Sequence, residues 1–139
     1  MDNSTGMVLM SIHPQYVDLI NSGEKKIEFR KTRFLRPINK VVIYSTTPVS
    51  KIVGYFDVDT IVSSTPALLW EEYNRVGGIS EKDFFDYYGS KIEAIGIKIK
   101  NAIQFDKKID ISALNLTPPQ SYKYLSEEEF EKICGLGNL

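Results

Sequence analysis

Within Gly23-Glu24-Lys25-Lys26-Ile27-Glu28-Phe29-Arg30, charged side chains with complementary chemistry stand at positions 25, 28 and 30. Lys25 supplies a compact ammonium, and Arg30 a planar fork that can grip a phosphate or a base edge through two parallel bonds. Glu28 can accept hydrogen bonds from an exocyclic amine or a ring N–H, as carboxylates do when they read cytosine. A carboxylate set between two cations is expected to stay ionised. The set therefore suits an anion that also carries a donor edge. The competing reading is architectural, a partly buried Lys–Glu–Arg cluster that ties a helix to a sheet.

Other reactive side chains are scarce. His13 is the sole histidine, so a multi-histidine metal site is excluded, and neither a metal nor a cofactor is expected. Its place before Pro14 favours a helix-start role. Cys134 is the sole cysteine, which rules out an intrachain disulfide and fits a reducing compartment. It follows a run of acids, whereas a reactive thiolate needs positive neighbours. Gly135-Leu136-Gly137 ends the chain too soon for a dinucleotide loop. Glu127-Glu128-Glu129 reads as the favourable acidic first turn of a helix.

The net charge of −1 argues against a strong nonspecific nucleic-acid binder, but the charges are unevenly placed. Between Glu24 and Lys51 stand eight basic and two acidic residues, whereas the remainder holds nine basic and sixteen acidic ones. A local patch of this kind can attract an anion although the whole chain is slightly acidic. The alternative is a solvated, lysine-rich edge strand protected from aggregation. Hydrophobic residues at 42% and charged ones at 25% describe an ordinary globule rather than a disordered chain. No apolar run approaches the roughly 18 residues of a membrane helix. The polar start Met1-Asp2-Asn3-Ser4-Thr5-Gly6 lacks the pattern of a secretory signal, so a cytoplasmic location without membrane contact is expected.

The elements that would position these groups follow from periodicity. Val8 to Ile12 is an apolar run suited to a buried strand. His13-Pro14 opens a helix that runs to Ser22, with Tyr16, Val17, Leu19 and Ile20 as its apolar stripe and Gly23 as a left-handed stop. Ile27 and Phe29 alternate with Lys26, Glu28 and Arg30, the pattern of a half-buried strand with Glu28 and Arg30 on the other face. Val41 to Tyr44 reads as a buried strand leading into the turn Ser45-Thr46-Thr47-Pro48. Lys51 to Ser63 reads as a longer one, in which Gly54 marks a bulge or a close backbone approach. Pro66 to Val76 is helical and stopped by Gly77-Gly78. Ser80 with Asp83, and Ser126 with Glu129, have the spacing of capping boxes. Trp70, with Leu68, Leu69 and Tyr73, is most simply core. Ile92 to Ile99 is a further strand, and Ala102 to Ile111 offers one or two more. The expectation is one α+β domain over residues 1–139, with a core from about 7 to 124 and a final helix from about 126 to 134.

The segment from Gly23 to Arg30 fits the pattern G-x-K-x-x-E-x-R, and here the chain resembles the ASCH domain family, which is built on the PUA-like barrel. Further matches are Ser11-Ile12-His13-Pro14, Ile43-Tyr44-Ser45-Thr46, Ile52-Val53-Gly54, and Tyr88-Gly89 followed by Ala94-Ile95-Gly96-Ile97. Pro118-Pro119-Gln120-Ser121-Tyr122 resembles a tail seen in some bacterial and archaeal members. The resemblance covers about Met7 to Tyr124. It implies a five- or six-stranded β-barrel with flanking helices, the helix from His13 to Ser22 lying beside its mouth.

It also implies a cleft beside the motif that recognises RNA, a nucleotide or a modified nucleoside. Lys25, Glu28, Arg30, Ser45 and Thr46 are the ligand-binding candidates. Lys26, Lys31, Arg33, Lys51 and Tyr55 are candidates for RNA contact, and Tyr44, Tyr87 and Tyr88 join Tyr55 as rings on which a base could stack. The alternative is a small hydrolase. One bacterial subgroup resembles an amidohydrolase of N4-acetylcytidine that uses a threonine two residues before the motif arginine. This chain has Glu28 there, which cannot replace the hydroxyl as the same kind of nucleophile; Ser45 or Thr46 could offer a hydroxyl from the neighbouring strand. Ribonuclease chemistry with Lys25 and Glu28 as acid–base groups is the other enzymatic possibility.

Overall fold

The computed structural model describes residues 6–138. The N-terminal stretch read above for a secretory signal lies, but for Gly6, outside them. Strand β1 (Gly6–Ile12) leads into helix α1 (Pro14–Ser22), followed by β2 (Ile27–Arg30), β3 (Ile38–Ser45) and β4 (Lys51–Ser64). Helices α2 (Pro66–Tyr73) and α3 (Glu81–Tyr88) come next. Then β5 (Ala94–Ile109), a 3-10 turn (Ile111–Leu114), β6 (Tyr122–Leu125) and α4 (Glu127–Leu136) complete the chain.

The six strands form one sheet in the order β2-β5-β4-β3-β1-β6. β1 and β3 run parallel, joined through α1 and β2, and every other pairing is antiparallel. The fold is α+β as expected, but the sheet is open and not closed into a barrel. Its two edge strands have only four residues each, and no ladder joins them. A side chain spans that seam instead. From β2, the Arg30 guanidinium donates to the Ser11 carbonyl of β1 at 3.5 Å and to Ser121 Oγ, just before β6, at 2.6 Å.

Alternation along β1 and β3 fills two cores, one on each side of the sheet. Val8, Met10, Val41 and Ile43 pack with Val17 and Ile20 of α1, while Leu9, Val42 and Tyr44 pack with Leu125 and Ile133 near α4. Burial on both faces explains why these strands read as continuous apolar runs. A third cluster seats α2 and α3 on β2, through Leu69, Phe84 and Tyr88 against Ile27 and Phe29. β2 is buried on its other face as well, where only one buried face was expected: Glu28, opposite the apolar pair, is only 6% exposed.

Gly54 is a close approach, as anticipated. A Cβ there would run into the Ile103 carbonyl oxygen of β5, and both of its ladders shift register beside it. α2 stops earlier than expected because Asn74 intervenes, its amide donating to the carbonyls of Trp70 and Glu71. Residues 94–109, expected as separate strands, form one strand carried past Asn101 with φ of 53°. Ser126 and Glu129 make the full reciprocal capping box, whereas the cap at Ser80 is one-sided, its side chain accepting from the Asp83 N–H.

Candidate functional site

α1 ends at Gly23, whose φ of 87° turns the chain back so that the Lys25 N–H reaches the Leu19 carbonyl at 2.9 Å. This reversal drives Lys25 inward, where it is 3% exposed. Its Nζ donates to the Gly77 carbonyl at 2.5 Å, lies 3.8 Å from Glu28 Oε1, and sits between the rings of Phe29 (4.9 Å) and Tyr16 (5.1 Å). The Gly77-Gly78 pair that sequence assigned to stopping a helix thus serves this lysine. Gly77 offers a carbonyl, and Gly78, at φ of 64°, lies against the lysine stem where a Cβ would come within 2.9 Å. Burial depresses the Lys25 pKa below the usual lysine value, although the Glu28 carboxylate pulls the other way.

Glu28 turns its second oxygen, Oε2, to Arg30 Nη1 at 3.2 Å. A chain of Lys25, Glu28 and Arg30 therefore runs along β2 and ends at the open seam. Such a charged cluster is costly to bury unless each member has its partners. Here no buried side-chain nitrogen or oxygen of the described residues lacks a partner. Tyr88 fixes the end of the strand, its hydroxyl lying 2.9 Å from the Arg30 carbonyl and 3.2 Å from that of Ile95. Desolvation raises the pKa of this phenol, so it serves as a neutral donor.

Lys25, Glu28 and Arg30 line a cavity of about 460 Å³ together with Thr46, and the rings of Tyr16 and Tyr87 stand in its wall beside those of Phe29 and His13. Burial also raises the Tyr87 pKa, against the opposing effect of the Arg30 cation. The cavity thus combines aromatic surface, a cation fork and a carboxylate, the materials for holding a planar ring with a donor edge and an anionic group.

Four of the five ligand-binding candidates meet here. Ser45 does not line the cavity; it is 2% exposed within β3. Among the RNA-contact candidates, Lys31 lies at the margin with its Nζ 4.7 Å from the centre of the Tyr87 ring. Arg33 sits in a neighbouring groove, paired with Glu93. Lys26 is exposed but outside the cavity lining, and Lys51 reaches Asp110 at 3.5 Å from the start of β4. Tyr55 packs on Phe130 of α4 at 5.2 Å, and Tyr44 is buried on the same side of the sheet.

Sequence reasoning missed Tyr16, Asp83, Gln120 and, above all, His13, which all line the cavity. His13 does occupy the helix-start position, but through its backbone alone. Its ring makes no cap bond and instead lies with Nδ1 3.2 Å from Thr46 Oγ1. The signal was present in Ser11-Ile12-His13-Pro14, one of the segments that carry the family resemblance, yet helix-start geometry sufficed to explain it. Gln120 belongs to the Pro118–Tyr122 segment, held by Ser11 Oγ donating to the Pro119 carbonyl at 2.6 Å. Cys134 is part-buried and its thiol pKa is raised by burial, opposite to what a nucleophile requires. Among the described residues, no group of three or more histidine, cysteine, aspartate or glutamate side chains is placed to hold a metal ion. No helix among them is long and apolar enough to cross a membrane.

The fold, a mixed α+β sheet with flanking helices, is PUA-like although the sheet does not close. The family model for the ASCH domain matches residues 10–132, and the chain belongs to that family. It is 31% identical over 134 residues to a Zymomonas mobilis protein named ASCH domain-containing ribonuclease, covering 92% of this chain and 90% of that one. The crystal structure of ASCH from Zymomonas mobilis superposes with a TM-score of 0.87 at 28% identity, over 94% of this chain and 95% of the other. A Ureaplasma parvum protein named large ribosomal subunit protein uL22 is 29% identical over 126 residues, 89% of this chain but 40% of that protein.

Proposed function

We propose that this chain binds single-stranded RNA, seating one base in the 460 Å³ cavity and holding an adjacent phosphate at its mouth. The observation that carries this reading is the buried chain of Lys25, Glu28 and Arg30 set against the Tyr16 and Tyr87 rings. RNA is read mainly as unpaired bases stacked on aromatics and bonded along their edges, and these groups supply both. Arg30 reaches the seam and is the natural phosphate contact. Glu28 accepts from the amine or N–H edge of the base, while Lys25 keeps that carboxylate in place and adds positive potential below it.

Cleavage of the bound strand is a second reading, favoured by the name of the Zymomonas mobilis relative. Phosphodiester cleavage needs one group to take a proton and another to give one, beside cations that stabilise charge on phosphorus. Glu28 is the candidate base. Lys25, whose proton is loosened by burial, is the candidate acid, and Arg30 the stabilising cation. Amidohydrolase chemistry is not proposed, because Glu28 stands where that subgroup has its threonine.

One experiment addresses both readings. A pool of short single-stranded RNAs is titrated against wild type and Glu28→Gln, and the same mixtures are run on a denaturing gel. We expect Glu28→Gln to keep part of the affinity while changing which base is preferred, because it replaces an acceptor edge by a mixed one. Shortened products with wild type that vanish with the variant extend the function to cleavage. Unchanged preference accompanied only by early melting would return Glu28 to a purely architectural role.

A further inference from the structure

Beside the cavity lies a second groove of about 330 Å³, lined by residues 33–37 together with Ile61, Ser63 and Ile95. The two depressions share one stretch of chain. Arg30 lines the first, and Arg36, six residues on, lines the second. Six residues of even fully extended chain span at most about 21 Å, so the two lie within reach of a few nucleotides.

The cations along this stretch differ in availability. Arg33 is paired with Glu93, its Nε donating to that carboxylate at 2.7 Å, and Ser63 Oγ adds a bond of 2.8 Å. Its charge is therefore largely answered within the protein. Arg36 has no ion-pair partner among the described residues. Its guanidinium lies 3.8 Å from the centre of the Tyr124 ring, and the same tyrosine's hydroxyl accepts from the Arg36 N–H at 3.0 Å. Tyr124 in turn stacks edge-on with Tyr122, which meets Phe34 at 4.7 Å. A guanidinium held over a ring face by cation–π attraction still has its N–H groups to offer a ligand, and an arginine held in one place loses little entropy on binding. Lys31, likewise without an ion-pair partner among the described residues, lies over Tyr87, the ring that forms the cavity wall. Between them Leu35 is 90% exposed, an apolar surface on which a base can rest.

We infer that Lys31 and Arg36 form a second RNA subsite, along which the strand continues after its base enters the cavity. Phosphates follow Lys31 and then Arg36, while Leu35 and Phe34 offer apolar contact to an intervening base. This rests on the RNA reading of the cavity and adds to it a direction and a length. Arg33 shapes the groove by fixing Glu93 and Ser63 rather than by contacting phosphate.

The test compares single-stranded RNAs of three and nine nucleotides by fluorescence anisotropy with wild type, Arg36→Gln and Lys31→Ala/Arg36→Gln. Thermal melts confirm that each variant folds. Wild type should bind the longer strand more tightly. Arg36→Gln should weaken binding of the nonamer about tenfold, the worth of one charge-assisted hydrogen bond, and leave the trimer unchanged. The slope of log affinity against log salt for the nonamer should become shallower by about 0.7 for each phosphate that is no longer neutralised. Equal effects on both lengths, or none on the nonamer, overturn the subsite while leaving the cavity reading standing. Failure of wild type to bind either strand overturns both. Poly-glutamate competing as well as RNA of equal charge, in an Arg36-dependent way, would assign the groove to an acidic protein instead.

Discussion

Lys25 shows how one side chain can serve structure and site together. Its ammonium is enclosed by two rings, a carbonyl and a carboxylate, and desolvation outweighs the help of Glu28. An unfolded lysine titrates near 10.4. Between the lowered folded value and that one, the unfolded chain holds a proton that the folded chain has released. Stability therefore rises with pH through this window and is lost as pH falls back through it. Below the window both states are protonated, and the full cost of burying the ammonium remains. The Lys25→Met variant lacks this titration. Urea melts from about pH 7 to pH 10.5 should show wild type gaining stability relative to Lys25→Met as the pH rises. A constant or shrinking difference would mean that Lys25 is better solvated than its surroundings indicate. This residue was legible from the motif, since a lysine three positions before a glutamate suggests a pair. Partial burial was one of the two readings offered, but near-complete enclosure was not legible, because the two glycines that cover it lie more than fifty residues away in sequence.

At the scale of elements, the site depends on loops that look like mere punctuation. Gly23 and Gly78 both adopt positive φ, at 87° and 64°, where a side chain costs about 1–2 kcal/mol. They differ in surroundings: a Cβ at Gly23 would meet nothing within 4 Å, whereas one at Gly78 would press on the Lys25 stem. Gly23→Ala should therefore lower the melting temperature and weaken RNA affinity less than Gly78→Ala, which presses on Lys25 directly. Equal weakening of affinity in the two variants, read by titration beside the melts, would detach Gly78 from the site. Sequence periodicity found β1, β3, β4, α1 and α4 because their patterns are long or capped. It missed β6, whose four residues follow a proline-rich stretch, and it divided β5, whose ladder to β4 is repeatedly shifted. The burial of Glu28 was hidden for a related reason. Alternation reveals that a strand has two faces but not what covers the second.

For the whole molecule, the decisive feature is that the sheet stops short of closing. Family resemblance led to a barrel; four-residue edge strands leave a seam instead, and Arg30 reaches across it to Ser11 and Ser121. The cavity opens at this seam, where backbone pairing gives way to side chains that a ligand can address. Cations on one segment, Arg30 to Arg36, then border both depressions, and they make up half of the basic residues in the cation-rich stretch of the sequence. Whether RNA enters this seam is open to direct measurement, by following backbone amide shifts in NMR spectra as a short single-stranded RNA is added. The perturbed amides should cluster at residues 11–16, 25–31, Thr46, 79–87 and Gln120, and they should saturate together. No perturbation at millimolar RNA, or shifts confined to the opposite side around Tyr55 and α4, would contradict RNA entry at the seam.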